Sequence, residues 1–257
     1  MKNQAINLLR QRTPEYFMQK FLPIAGKTNF NHKKILILIT YIISVIFLFD
    51  LTSCNKDEST PIDTSIKDMD GNMYTSVQIG SQVWMVQNLK VTKYRNGDPI
   101  PKIGPTDNSW GTLTYGAYSN DYEETNINGR LYNWYAVNDP RKLAPEGWHI
   151  PTNAEWTTLV NFLGGESSAG SKMKEKGTAH WCAPNADATN ESGFTALPGD
   201  WRLDIGFATG CGDESWWTAD EEDLTDAHNV FVFDGSGEVS RVFNKKYTGW
   251  GVRCIKD

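Results

Sequence analysis

Two adjacent tryptophans stand among acidic residues in the second half of the chain, a combination that is typical of sugar-binding surfaces. Trp216 and Trp217 follow Asp213 and precede Asp220. An aromatic ring offers a face on which a sugar can stack, and carboxylates accept hydrogen bonds from sugar hydroxyl groups. Tandem tryptophans are also common in protein cores. The sequence therefore leaves two interpretations open: these four residues form a ligand-binding surface, or the two tryptophans belong to the core.

Residues that could catalyse a reaction or bind a metal are scattered along the chain. The sequence has neither the His-Glu-x-x-His pattern of zinc hydrolases nor the Gly-x-Ser-x-Gly pattern that presents a nucleophilic serine. His149 precedes a predicted helix, and we expect it to be packed or hydrogen-bonded. Paired carboxylates for glycoside hydrolysis are defined by their separation in space, which a sequence does not reveal. We expect no enzymatic activity, no metal and no cofactor.

Three cysteines, Cys182, Cys211 and Cys254, lie in the C-terminal part of the chain. In an oxidising compartment one pair can form a disulfide and leave one thiol, so three pairings are open. We favour Cys182 with Cys211, because both lie in loop-like sequence whereas Cys254 alternates with Val252 in a predicted buried strand. The absence of a Cys-x-x-Cys pattern argues against a zinc ribbon or a thioredoxin-like site.

The N-terminal part has the organisation of a secretory signal. Lys33 and Lys34 precede a mostly apolar run over residues 35–49, which is shorter than the roughly 20 apolar residues of a membrane-spanning helix. Leu51-Thr52-Ser53-Cys54 follows and resembles a bacterial lipobox, after which the cysteine is lipidated and becomes the new N-terminus. The alternatives are an ordinary signal peptide with a chance cysteine and a retained membrane anchor.

These features divide the chain into three parts. We interpret residues 1–53 as an N-terminal extension with a lipoprotein signal peptide, residues 54–66 as a polar tether and residues 67–257 as the domain. Cys54 would attach the protein to a membrane through its lipid. Asn55-Lys56-Asp57-Glu58 resembles the export signal of Bacteroidota surface lipoproteins. We therefore expect an outer-membrane lipoprotein that is exposed on the cell surface rather than facing the periplasm.

The charge balance after Cys54 restricts the class of partner. Seven of the 25 Lys and Arg and two of the 31 Asp and Glu precede Cys54, which leaves a net charge of −11 on the remainder. Nucleic acids and anionic membrane surfaces need clustered basic residues. We therefore expect no nucleic-acid partner.

The best-defined element is a helix that follows Gly147-Trp148-His149-Ile150-Pro151. Thr152 and Glu155 have the spacing of a capping box, in which each side chain accepts a hydrogen bond from the other residue's backbone N–H. Apolar residues then recur at helical spacing in an amphipathic stripe: Trp156, Leu159, Val160 and Leu163. Gly164-Gly165 is typical of a helix C-terminus. This segment predicts a capped helix directly after a strand.

The other predicted elements are mostly strands and loops. Gly80-Ser81 separates two strands, residues 73–79 and 82–85, and a second hairpin is expected over residues 229–243. A short helix, or alternatively a strand, is expected within residues 130–137. Further predictions are a strand at 215–218, a solvated acidic loop at 220–226, a terminal strand at 249–255 and mostly loop over 166–206. The pattern predicts an α+β domain with two short helices, antiparallel strands and long loops.

The motifs along the domain resemble those of the Fibrobacter succinogenes major paralogous domain. The matching segments, in order, are Asp70-Gly71-Asn72-Met73-Tyr74, Trp84-Met85, Asn88-Leu89-Lys90, Gly129-Arg130-Leu131-Tyr132-Asn133-Trp134-Tyr135, Leu143-Ala144-Pro145, residues 147–156, Asn190-Glu191-Ser192-Gly193-Phe194, Ala196-Leu197-Pro198-Gly199, Trp216-Trp217 and Val252-Arg253-Cys254. Many members of that family carry a cysteine where this chain has Ala144, so a bridge from that position to Cys254 is impossible here. The resemblance brings no established activity and no catalytic residues.

Residues 147–156 and the terminal Gly251-Val252-Arg253-Cys254 are also similar to motifs of formylglycine-generating-enzyme-like domains. That similarity implies a C-type-lectin-like architecture with twisted antiparallel strands. The oxidases of that wider group act through a pair of cysteines near the C-terminus, and here only Cys254 lies there. The calcium-dependent sugar-binding motifs of C-type lectins, Glu-Pro-Asn or Gln-Pro-Asp with Trp-Asn-Asp, do not occur.

These observations predict a surface-anchored lipoprotein with a non-catalytic domain for binding or adhesion. Its ligand would be an extracellular glycan or protein. The alternatives are an extracellular enzyme that acts on glycans or protein and a structural component of the cell envelope.

Overall fold

The turn at Gly80-Ser81 closes the hairpin that the sequence predicts. β2 (Met73–Ile79) and β3 (Gln82–Met85) pair antiparallel, with Val77 opposite Trp84. Gly80 has a φ of 59°, a conformation that glycine adopts without steric cost. The hairpin prediction is confirmed together with the bounds of both strands.

The structure is a computed structural model that describes residues 61–104, 106–119 and 127–257. These residues lie within one compact unit, Asp57–Asp257. The expected lipidation site Cys54 and the expected export signal at 55–58 lie outside the described residues. No helix in the described part of the chain is long and apolar enough to cross a membrane.

β1 (Pro61–Lys67) adds an antiparallel edge strand to this hairpin, with Ile66 opposite Tyr74. The prediction of a tether through residue 66 is therefore wrong for residues 61–66. An edge strand is held by the backbone of its neighbour, so a polar sequence can form one without an obvious apolar pattern.

The largest sheet has five strands in the order β1-β2-β3-β12-β6, with β6 (Trp148–His149) and β12 (Ile255–Lys256). The predicted terminal strand over residues 249–255 is mostly wrong. Residues 249–251 form single bridges to three different segments, at Arg202, Tyr132 and Trp216. Because each bridge has a different partner, no continuous ladder forms along this stretch.

A second sheet has the order β11-β10-β9, in which β9 (Asp213–Glu221) and β11 (Ser240–Lys245) both pair antiparallel with β10 (Asp226–Phe233). The predicted second hairpin is confirmed. The acidic segment 220–226 is not entirely loop, because its ends extend β9 and β10. Two small antiparallel pairs complete the strands: β4 (Tyr118–Ser119) with β5 (Leu131–Tyr132), and β7 (Trp201–Leu203) with β8 (Gly206–Ala208).

Three short helices and one turn of 3-10 helix accompany the described strands. They are α1 (Trp134–Val137), α2 (Asn153–Phe162), α3 (Glu166–Met173) and the 3-10 turn Trp110–Thr112. The capping box is confirmed, since Thr152 Oγ1 accepts from the Glu155 N–H and Glu155 accepts from the Thr152 N–H. The expectation of two helices is wrong, because α3 is a third helix at the start of the segment 166–206, which is otherwise mostly loop as expected. Its sequence has almost no apolar stripe, and it buries mainly Ala169, Gly170 and Met173.

Candidate functional site

The tandem tryptophans lie in the core, so their interpretation as a ligand-binding surface is wrong. Both are buried in β9, where successive side chains point to opposite faces of the strand. Trp216 stacks on Trp156 in one hydrophobic cluster, with ring centroids 5.6 Å apart. Trp217 belongs to a second cluster with Tyr132. The adjacent pair therefore serves two different parts of the core.

The indole of Trp216 is held by a buried polar network centred on Asn88. The amide oxygen of Asn88 accepts from Trp216 Nε1 at 2.8 Å and from Arg253 Nε at 3.0 Å. The amide nitrogen donates to Glu214 Oε1 and to the Asn128 carbonyl, each at 3.1 Å. Asn88 thus links a carboxylate and a guanidinium, and both its oxygen and its nitrogen are engaged.

The two ionisable groups of this network are strongly desolvated. Burial raises the pKa of the Glu214 carboxyl well above its usual range, and the charge of Arg253 opposes that rise. Burial lowers the pKa of the Arg253 guanidinium, and the nearby Glu214 carboxylate opposes that shift. Arg253 Nη1 also donates to the Phe194 carbonyl at 2.6 Å. Because the residues of this network are buried, we infer that the network stabilises the fold and does not contact a ligand.

The two predicted acidic site residues have separate roles. Asp213 is partly buried, and desolvation followed by the charges of Asp234 and Asp200 raises its pKa to about 6. Asp220 accepts a hydrogen bond from the backbone N–H of Asn153 at the start of α2. Because the tryptophans are buried, these carboxylates do not combine with them into a surface.

Cys182 and Cys211 form a disulfide, with Cα atoms 4.9 Å apart. The Cys182 N–H also donates to the Cys211 carbonyl at 2.7 Å, so the two loops are paired through the backbone as well. Cys254 carries a free thiol in the core, and burial raises its pKa. Ala144 is buried in the same cluster as Cys254.

A first surface depression of about 380 Å³ lies beside β6 and the start of α2. Ionisable side chains line much of it, including Arg95, Lys142, His149 and Asp257, with Trp148 contributing to its wall. Arg95 is fixed by donating to the Ala144, Pro145 and Trp148 carbonyls. Charged and apolar side chains therefore both line this depression.

His149 in this depression is held between two carboxylates. Its Nδ1 lies 2.7 Å from Asp257 Oδ1, and its Nε2 lies 2.7 Å from Glu155 Oε1. Burial lowers the pKa of His149, but the two carboxylates outweigh burial, and the net shift is upward. Glu155 also accepts from Thr152, so the ring is coupled to the cap of α2. The expectation of a hydrogen-bonded histidine is confirmed.

A second depression of about 380 Å³ adjoins the first and shares Asn138, Asp139 and Pro140 with it. Two tyrosines line it: Tyr115 from the loop before β4 and Tyr135 from α1. Tyr115 is 50% exposed. This depression combines aromatic side chains with polar groups, as ligand-binding sites commonly do.

The polar side of the second depression is organised around Arg141. Its guanidinium donates to Asp139 Oδ1 at 2.9 Å and Oδ2 at 2.8 Å, and it lies 3.3 Å from Asp98 Oδ2. The same group stacks over the Tyr94 ring, 4.0 Å from its centroid. The two carboxylates and the ring together restrict the orientation of the Arg141 guanidinium.

Sequence reasoning missed this pair of depressions. In the sequence, Asp139-Pro140 indicates only the end of a helix, and residues 109–128, rich in Gly, Tyr, Asn and acidic residues, indicate only a surface loop. The available clue was the concentration of tyrosine and polar residues in loops, where binding residues are often found. Their convergence depends on contacts between segments that are distant in sequence.

The described domain is of the α+β class and is built mainly of antiparallel strands. Comparison with protein-family models matches residues 77–256 to the Fibrobacter succinogenes major domain. The chain belongs to this family. No curated protein and no solved structure gives a significant match to the chain.

Proposed function

We propose that this protein is a surface-exposed outer-membrane lipoprotein whose domain binds an extracellular glycan or protein without catalysing a reaction. The lipid would be attached to Cys54. The observation that carries the binding function is the pair of adjoining depressions on either side of residues 138–140, with fixed charges in one and exposed tyrosine in the other. The proposed ligand site therefore moves from Trp216 and Trp217 to these depressions.

The proposal includes a C-type-lectin-like architecture and a distant relation to formylglycine-generating-enzyme-like domains. Two motifs of that resemblance, at 147–156 and 252–254, lie at adjacent strands of one sheet. Ile255 pairs with His149, and Lys256 pairs with Trp148. Short helices, antiparallel strands and long loops are consistent with this architecture.

The state of the nucleophilic and basic residues favours binding over catalysis. Both ring nitrogens of His149 are engaged by carboxylates. Within the part of the chain that the structure describes, Cys182 and Cys211 are joined and Cys254 is buried. An enzymatic role would require a group that is free to attack or to transfer a proton to a bound substrate.

Anchoring is tested with the full chain and its Cys54→Ala variant, expressed in a bacterial host that is fed labelled palmitate. We expect the unaltered chain to take up label and to sediment with outer membranes, whereas the variant takes up none and leaves the membrane fraction. Digestion of intact cells by an added protease then distinguishes surface exposure from a periplasmic orientation. Equal labelling of the two chains would contradict lipidation at Cys54.

Binding is tested with the detergent-solubilised full chain on arrays of glycans and extracellular proteins. We expect stable, saturable capture of a ligand that is recovered chemically unchanged. Turnover of a glycan or protein without stable capture would establish the enzymatic alternative. A folded protein that captures and converts nothing would point to a structural role in the envelope.

A further inference from the structure

The second depression presents aromatic and hydrogen-bonding groups that the fold itself leaves unused. Tyr115 and Tyr135 line it, and neither phenol hydroxyl makes a hydrogen bond with a described residue. The side-chain amide of Asn138 is likewise exposed and unengaged within the described ranges. A phenol offers an apolar face together with a hydroxyl that donates and accepts, and an amide offers both a donor and an acceptor. These groups suit a ligand that has both C–H faces and hydroxyl groups.

The position of these groups is fixed by the structure beneath them. Tyr135 lies in α1, whose N-cap Asn133 accepts from the Ala136 N–H and donates to the Tyr115 carbonyl at 2.9 Å. Asn133 therefore ties the backbone of Tyr115 to the helix that carries Tyr135. A site that is held in place before binding loses less conformational entropy when the ligand arrives.

The charges around the second depression select against an anionic ligand. Asp98 and Asp139 both contact Arg141, so two carboxylates share one guanidinium. The chain after Cys54 carries a net charge of −11, and its field repels polyanions. The neighbouring depression differs, because three basic residues line it, Arg95, Lys142 and His149, together with Asp139 and Asp257.

We propose that the second depression is a subsite for neutral carbohydrate, in which the ring of Tyr115 stacks on a sugar and the hydroxyl groups of the sugar bind Asn138, Tyr135 and the Asp139–Arg141 pair. This inference rests on the proposed binding function and narrows its ligand to an uncharged saccharide. It also assigns recognition to the second depression rather than to the first.

The test measures binding of neutral gluco-, manno- and galacto-oligosaccharides of four to six units to the detergent-solubilised full chain by calorimetry. A sulfated oligosaccharide of matching length is the charged comparison. We expect at least one neutral series to bind, and we expect the sulfated one to bind at least about tenfold more weakly. This tenfold ratio corresponds to about 1.4 kcal/mol.

Variants locate the site. Tyr115→Ala should weaken binding of the neutral oligosaccharide about tenfold or more, whereas Tyr115→Phe retains the ring and should change it by less than about threefold. Phe243→Ala, which removes an exposed aromatic ring on β11 outside both depressions, is the matched control and should leave the affinity unchanged. Because Tyr115 is exposed, thermal unfolding of each variant should match that of the unaltered chain, which excludes loss of fold as the cause.

Two results would overturn the inference while leaving the proposed function in place. One is capture of a protein or of the sulfated oligosaccharide with no neutral saccharide bound. The other is neutral saccharide binding that Tyr115→Ala leaves unchanged, since the saccharide then binds elsewhere on the protein. Failure of every glycan and protein to bind the folded chain would instead overturn the proposed function together with this inference.

Discussion

Two groups of charged residues in this domain have similar chemistry and opposite surroundings. In the Asn88 network an amide links the carboxylate of Glu214 with Arg253, and all three side chains are buried. In the His149 cluster an imidazole links the carboxylates of Glu155 and Asp257, and all three groups remain partly exposed. Water solvates the second cluster when a partner is lost, but it does not reach the first. Solvent access therefore decides how much each contact contributes to stability.

The largest expected effect comes from removing one charge of the buried network. Arg253→Met should lower the free energy of unfolding by about 3–5 kcal/mol. It removes the charge that compensates Glu214, which must then either stay charged in the core or take up a proton, and it removes the donors to Asn88 and to the Phe194 carbonyl. Urea unfolding monitored by tryptophan fluorescence measures this change. The double variant Arg253→Met/Glu214→Gln should recover part of the loss.

Arg141→Met is the matched control for that prediction, since Arg141 forms its ion pairs at the surface. We expect a much smaller loss than for Arg253→Met, because water and salt screen ion pairs at the surface. Equal losses of unfolding free energy in Arg253→Met and Arg141→Met would show that burial does not decide how much each arginine contributes to stability.

An intermediate effect is expected at the helix cap that joins the exposed cluster. Thr152→Ala removes the acceptor for the Glu155 N–H and should lower the free energy of unfolding by about 1 kcal/mol. Thr158→Ala, on the exposed face of the same helix, is the matched control and should have a smaller effect. Equal losses in the two variants would contradict a contribution from the cap.

The smallest expected effect is the pH dependence of the His149 cluster. The two carboxylates raise the pKa of His149 in the folded state above its unfolded value of about 6.5. Their stabilisation is therefore fully present below that unfolded value and is lost as pH rises through the folded value. Because the ring is partly exposed, the change should stay below about 1 kcal/mol.

Titration of His149 by NMR gives the folded pKa directly, and urea unfolding of the unaltered chain and His149→Asn gives the stability difference. We expect that difference to shrink as pH rises through the folded pKa. A folded pKa below about 6.5 would contradict the dominance of the carboxylates over burial.

Local chemistry was sufficient to predict several elements from the sequence. The capping box at Thr152 and Glu155, the apolar stripe behind it and the turn at Gly80-Ser81 act between residues that are close along the chain. The second hairpin, with its turn at 234–237, follows for the same reason. Such elements depend on backbone preferences and short-range hydrogen bonds, which the sequence by itself determines.

Tertiary contacts decided the elements that the sequence did not reveal. α3 has a weak apolar pattern and buries small residues, and β1 is held by the backbone of β2. Trp216 and Trp217 belong to two different core clusters, because both faces of β9 pack against other parts of the domain. The position of a tryptophan in a core or on a surface depends on what covers it.

In the candidate site, too, some features follow from the sequence and others depend on tertiary contacts. The composition indicated an acidic protein that is rich in aromatic residues and has few catalytic groups. Composition can be read from the sequence without knowledge of the fold. The two depressions exist only because residues 138–142 meet segments near Tyr115 on one side and near His149 on the other. The sequence alone determined the local elements and the available chemistry. Long-range packing decided which side chains became core and which came together at the surface, since burial and convergence depend on residues far apart along the chain.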